Sequence, residues 1–190
     1  MLLILTLSTN NGVQDGRRRD NSVHQLCNVP ITMASNFRQT ALTFIGGFGS
    51  LSSDTFLSVL SPTSIHEFAP SSIPLPEPKD PTTFAKHLES LKEVLAAFPV
   101  FPKEVFENED KRQVTIWATS EAQFRDDVKD TAIPEEEWCY QGEYIFIFTM
   151  DESGKIARIL EFVDSKGTER LRALMARARS NLEYHTGRRP

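Results

Sequence analysis

The spacing of apolar residues changes character along this chain and divides it into elements. From residue 35 it is helical: Phe37, Ala41, Phe44, Ile45 and Phe48 recur three and four apart behind Ser35, a candidate N-cap. Gly46, Gly47 and Gly49 loosen the end of that helix. Ser53 and Asp54 then cap a second, short one carrying Phe56, Leu57 and Leu60, which Pro62 ends. The stretch "TSIHEFAP" reads as a first strand. "SSIPLPEPKDP" holds four of the eleven prolines, a density that makes it a surface loop. In "DPTTFAKHLESLKEVLAAF" Asp80 is a cap, Pro81 sits in the first turn, and Phe84, Leu88, Leu91 and Leu95 form an apolar stripe. Pro99 and Pro102 stop that helix.

From there to residue 164 the chain is largely strand. "VFPKEVFENED" turns at Asn108, Glu109 and Asp110 into "KRQVTIWATSEAQF". "QGEYIFIFTM" joins "KIARILEFVD" through residues 151–154, where Gly154 suits a turn with positive φ. Between these pairs "RDDVKDTAIPEEEWC" is acidic and broken by proline, long enough for a lid or a solvated loop. "TERLRALMARARSNL" is helical again, with Leu171, Leu174 and Ala178 on one side and four arginines elsewhere. "EYHTGRRP" reads as a frayed tail. Strands grouped after helices predict an α+β domain, with helices on one face of a curved antiparallel sheet. Such a sheet leaves a concave interior.

Composition narrows the function classes. At 190 residues the chain suits one domain, expected over residues 33–180, with 181–190 as the tail. Residues 1–32 read as an unstructured leader, or as a mistaken start with the chain opening at Met33. Their apolar run is short, and the arginine cluster comes after it, the reverse of a secretory signal. A net charge of −5 argues against a nucleic-acid surface, and no apolar run reaches the roughly 20 residues of a membrane span. Cys27 and Cys139 lack metal-type spacing and do not make a disulfide framework, which suggests a reducing, cytoplasmic setting. There is no phosphate loop, nucleophile elbow or His–Glu metal helix, so no cofactor and no metal are expected. "FIGGFG" lacks the preceding strand that a dinucleotide site needs.

Alternation sorts the polar residues by face. In the first strand Ser64, His66 and Phe68 share one side, while Ile65, Glu67 and Ala69 share the other. Pattern alone leaves open which side is interior. Glu161 shares a face with Ala157, Ile159 and Val163. A lone carboxylate in such a row is an acid–base candidate if desolvated, or a surface charge if that face meets solvent or a partner. Asp164 lies opposite, with Leu160 and Phe162, and either orients a histidine or, as "DSKGTERL" favours, caps the last helix. Trp117 and Tyr144 either line a pocket for a flat substrate or pack in the core, and the Tyr144 hydroxyl suits polarising a carbonyl. His87, at the edge of its helix stripe, is expected at the surface. Trp138 and Tyr140, after the solvated run Glu135, Glu136 and Glu137, are placed at a pocket mouth.

Three stretches, "FLSVLSPTSIHEFAPSSI", "KRQVTIWATS" and "YIFIFTMDESGKIARILEFVDSKGTERL", carry a resemblance. Over residues 37–174 the chain resembles the SnoaL-like family of the nuclear transport factor two-like superfamily. The long acidic insertion at 121–140 departs from it. The resemblance implies a cone-shaped sheet closed by helices, with His66 inside. It also implies a cofactor-free isomerase, cyclase or dehydratase, acting by proton transfer on a polyketide or terpenoid small molecule of fungal secondary metabolism. His66 is then the base and Glu161 the second acid–base group or the orienter, with Trp117, Tyr144, Phe68 and Asp164 against the substrate. Apolar residues on both faces of "YIFIFTM" permit a homodimer through the sheet. The rival is a non-catalytic binding or dimerisation module, because members of one fold differ in function. An open cavity where His66 meets a carboxylate favours the enzyme; a filled cone favours the module.

Overall fold

The computed structural model describes residues 36–74 and 76–186. The leader, Ser35 and Cys27 lie outside the described residues. Four α-helices and six strands succeed one another as α1 (Phe37–Gly47), α2 (Ser53–Val59), β1 (Leu60–Ala69), α3 (Pro81–Lys92), β2 (Leu95–Ala97), β3 (Val100–Asn108), β4 (Gln113–Phe124), β5 (Tyr140–Met150), β6 (Ile156–Val163) and α4 (Ser165–Thr186). The strands form one sheet in the order β1-β6-β5-β4-β2, with β3 also paired to β4. Helices and curled sheet together make the predicted α+β cone.

Several boundaries differ from the sequence reading, each for a local reason. Asn36, with no side-chain cap bond, precedes α1. Pro62 sits inside β1, which begins at Leu60; β1 is an edge strand, where a missing N–H costs no ladder bond. The sheet is mixed, because β1 runs parallel to β6 while the other pairs are antiparallel. α3 stops at Lys92, so Leu95 leaves the helical stripe and pairs with Phe124 as the start of β2, a short fifth strand beyond the four expected after that helix. The expected tail is helical as far as described, since α4 runs through Thr186.

Local signals explain the elements that hold. Asp80 caps α3 through Thr83 N (2.7 Å) with Pro81 in the first turn. Gly154 takes φ 80° in the β5–β6 turn, where Asp151 accepts from the backbone N–H groups of Ser153 and Lys155. The core is an aromatic stack: Phe44 meets Phe56 at 4.8 Å, Phe148 at 5.4 Å and Phe84 at 5.8 Å between ring centroids. Burying each such ring stabilises the fold by roughly 1.5–3 kcal/mol.

The acidic insertion is tied down. Val128 and Trp138 are buried, and Trp138 packs on Phe124. Arg177 of α4 grips Asp130 with two bonds of 2.7 and 2.8 Å, and Asn181 Nδ2 reaches both Asp130 and the Val128 carbonyl. Arg177 and Asn181 together hold the Asp130 carboxyl well below the usual carboxylate range. This segment therefore acts as a clamp on α4.

Candidate active site

The parallel register of β1 and β6 sets the site. His66 lies opposite Ile159, and Phe68 opposite Glu161, so His66 and Glu161 are diagonal neighbours on one face. That face is the interior. Ser64 and His66 are buried while Ile65 is exposed, which settles what alternation left open. His66 Nε2 lies 2.8 Å from Glu161 Oε2, and the two side chains keep 4% and 12% of their surface accessible. The imidazole stacks on Phe68 at 4.5 Å and leans on Phe84 at 5.2 Å. Its backbone is fixed by two hydrogen bonds to Lys79, at 2.8 and 2.9 Å.

The other ring nitrogen decides the tautomer. His66 Nδ1 is buried with no hydrogen-bond partner. A proton there would be a stranded buried donor, costing about 1–3 kcal/mol, whereas Nε2 has a carboxylate to donate to. The proton therefore sits on Nε2, and Glu161 accepts it.

Both residues line a cavity of about 370 Å³, within the range of small-molecule sites. Its walls are apolar, with Phe68 and Phe84 among them, and Tyr144 contributes a phenol. Tyr144 Oη lies 2.8 Å from Tyr140 Oη. Burial, and next the Tyr140 phenol, hold the Tyr144 hydroxyl well above its usual pKa, so it remains a proton-bearing donor. Gly142 makes this pair possible: a Cβ there would stand 2.1 Å from the Tyr140 oxygen and 2.7 Å from that of Tyr144.

Other expected site residues go elsewhere. Trp117 is on the outer face of the sheet, its Nε1 donating to Glu143 (2.6 Å) and Lys103 lying 4.0 Å over its ring. Strand alternation puts it there, because Trp117 falls between the inward-facing, buried Ile116 and Ala118 at odd spacing from both. Asp164 lies beyond the end of β6 and serves α4: its carboxylate accepts from Lys166 N (3.1 Å) and its carbonyl from Thr168 N (2.8 Å). Trp138 and Tyr140 are buried and form no part of the cavity wall.

His87, expected at the surface, lines the cavity. Burial comes first, then Lys79, His66 and Arg179, in lowering its pKa to about 4, so it is neutral at pH 7. The signal was present: Phe84, His87, Leu88 and Leu91 fall at i, i+3, i+4 and i+7. On α4 the cavity-lining Thr168, Arg172, Met175 and Arg179 obey the same rule at i, i+4, i+7 and i+11.

No protein-family model and no curated protein matches the chain. Solved structures do match. BvnE pinacolase from Penicillium brevicompactum superposes with a TM-score of 0.63 at 17% identity, over 74% of this chain and 91% of that one. PrhC from Penicillium brasilianum gives 0.60 at 14%, over 78% and 97%. AusH from Aspergillus nidulans gives 0.57 at 24%, over 68% and 84%. The fold is SnoaL-like. Similarity at this level of identity establishes the architecture alone.

Proposed function

We propose that this SnoaL-like protein is a cofactor-free isomerase, cyclase or dehydratase that moves a proton beside a carbonyl of a polyketide or terpenoid intermediate. The observation that carries the reading is the His66–Glu161 pair inside an apolar cavity. A carboxylate held through one oxygen keeps the other free to take a proton, and its partner fixes which oxygen that is. Glu161 keeps more accessible surface than His66, whose Nδ1 is sealed. In this reading Glu161 exchanges the proton with substrate, while His66 positions the carboxylate. That reverses the roles expected from sequence, where His66 is the base. Tyr144 donates a hydrogen bond to the substrate carbonyl and stabilises the charge that develops on its oxygen. Phe68 packs on the substrate's apolar body. The pinacolase among the structural neighbours supports small-molecule chemistry in this fold, and the Penicillium and Aspergillus sources support a fungal setting.

An open cavity disfavours the packed, non-catalytic module. A homodimer through the outer face is part of the same reading: Ile145 and Phe162, paired across β5 and β6, are 43% and 46% exposed. The test is turnover of a panel of carbonyl-bearing polyketide and terpenoid compounds by wild type, Glu161→Gln and His66→Asn. Glu161→Gln is expected to lose about 10²–10⁴ in kcat/KM, and His66→Asn less. Rates unchanged in both variants would remove the proposal.

A further inference from the structure

The charges around the cavity are lopsided. Glu161 is its one lining carboxylate among the described residues, and it is engaged by His66. Arg172 and Arg179 line the same space from α4, and His87 lines it from α3. This happens on a chain whose net charge is −5, where acidic partners for arginine are plentiful. The other arginines of α4 find partners: Arg170 donates to the Glu137 carbonyl, Arg172 to that of Pro74, and Arg177 to Asp130. Arg179 makes no hydrogen bond or ion pair with any described residue, although it faces the cavity and lies close enough to His87 to help suppress its protonation. An arginine that lines an apolar hollow and makes no hydrogen bond with a described residue is placed to receive an anion from outside the protein.

We propose that the ligand of this cavity carries an anionic group, a carboxylate or an ionised enol, held by Arg179 with Arg172 and His87 beside it. Its apolar body lies along Phe84 and Phe68. This rests on the reading of the cavity as a ligand site, and adds which class of molecule enters and in which direction. Arg172, tied to the Pro-rich loop through the Pro74 carbonyl, supplies a second positive charge to the same end. Neutral His87 offers a hydrogen bond without adding repulsion to the cationic rim. Glu161, the one lining carboxylate among the described residues, repels an anion. The ligand's charged end is thereby sent to the arginines and its reacting carbon to Glu161.

Two fluorescent probes test this without knowledge of the natural ligand. 8-Anilinonaphthalene-1-sulfonate and N-phenyl-1-naphthylamine share their ring systems and differ in the sulfonate. Titrated into the full chain at pH 7, the anionic probe is expected to bind about tenfold more tightly than the neutral one. Arg179→Ala should abolish that preference while leaving neutral-probe binding as it was, and Arg179→Lys should keep most of it. Arg112→Ala, in the exposed turn between β3 and β4, should keep all of it. Equal binding of the two probes to wild type, or a preference that survives Arg179→Ala, overturns the proposal and leaves the cavity reading standing. Failure of both probes to bind overturns the two together.

Discussion

Two carboxylates of the sheet, Glu161 and Glu143, lie on opposite faces and in different surroundings. Inside, Glu161 meets His66 at 2.8 Å among phenylalanine rings. Outside, Glu143 meets Trp117 at 2.6 Å and Lys103 at 3.3 Å, with half of its side chain in water. Water around Glu143 screens its partners and competes for its hydrogen bonds, so that pair contributes about 1 kcal/mol or less. Around Glu161 there is little water to compete, and each polar partner counts for more. Position on an alternating strand, one face or the other, decides whether a carboxylate decorates the surface or can work as a base.

The sharpest way to break this contrast is to remove each charge in turn. Glu161→Gln should lower kcat/KM by about 10²–10⁴, while Glu143→Gln should leave it within about twofold and shift the urea midpoint only slightly. Equal losses would mean that burial does not separate the two faces.

Next in size is Gly142→Ala. Its methyl would collide with the Tyr140 and Tyr144 hydroxyls, so the buried pair must separate. The expected cost is on the order of 2–3 kcal/mol in urea unfolding, with a lower turnover because Tyr144 moves. A fully stable variant with normal activity would show that the tyrosine pair is dispensable.

A third effect depends on pH. His87 must stay neutral in the fold, and its pKa falls from 6.5 to about 4. A lowered pKa means that the unfolded chain binds the proton more readily, so its contribution is complete above pH 6.5 and is lost as pH falls from 6.5 towards 4. Wild type should lose no more than about 3 kcal/mol from this source, and His87→Asn should lack that component of the acid sensitivity. Identical pH profiles for the two proteins would place His87 in water instead.

Much of this is legible in the sequence. The cap at Asp80, the Gly154 turn and the alternation around His66 and Glu161 are local signals, and they hold. The features that sequence does not mark depend on tertiary pairing. Parallel pairing of β1 with β6 brings His66 to a carboxylate 95 residues further along, and nothing within either strand announces it. Trp117 reads as a pocket residue because strand alternation is two-fold and does not label its faces. His87 and the Arg172–Arg179 row are readable as helical periodicity, but a polar residue in an apolar stripe is easily assigned to the edge. The clamp of Asp130 by Arg177 and Asn181 needs the fold, since an acidic loop has no sequence mark for its partner.

The central claim is that His66 donates an Nε2 proton to Glu161 and so orients its carboxylate inside the cavity. Long-range ¹H–¹⁵N correlation spectra of the histidine rings at pH 7, assigned by His66→Asn, measure this directly. The predicted result is a proton on Nε2 alone, with the ring signals of His66 shifting in Glu161→Gln. A proton on Nδ1 alone, or signals indifferent to Glu161→Gln, would contradict it.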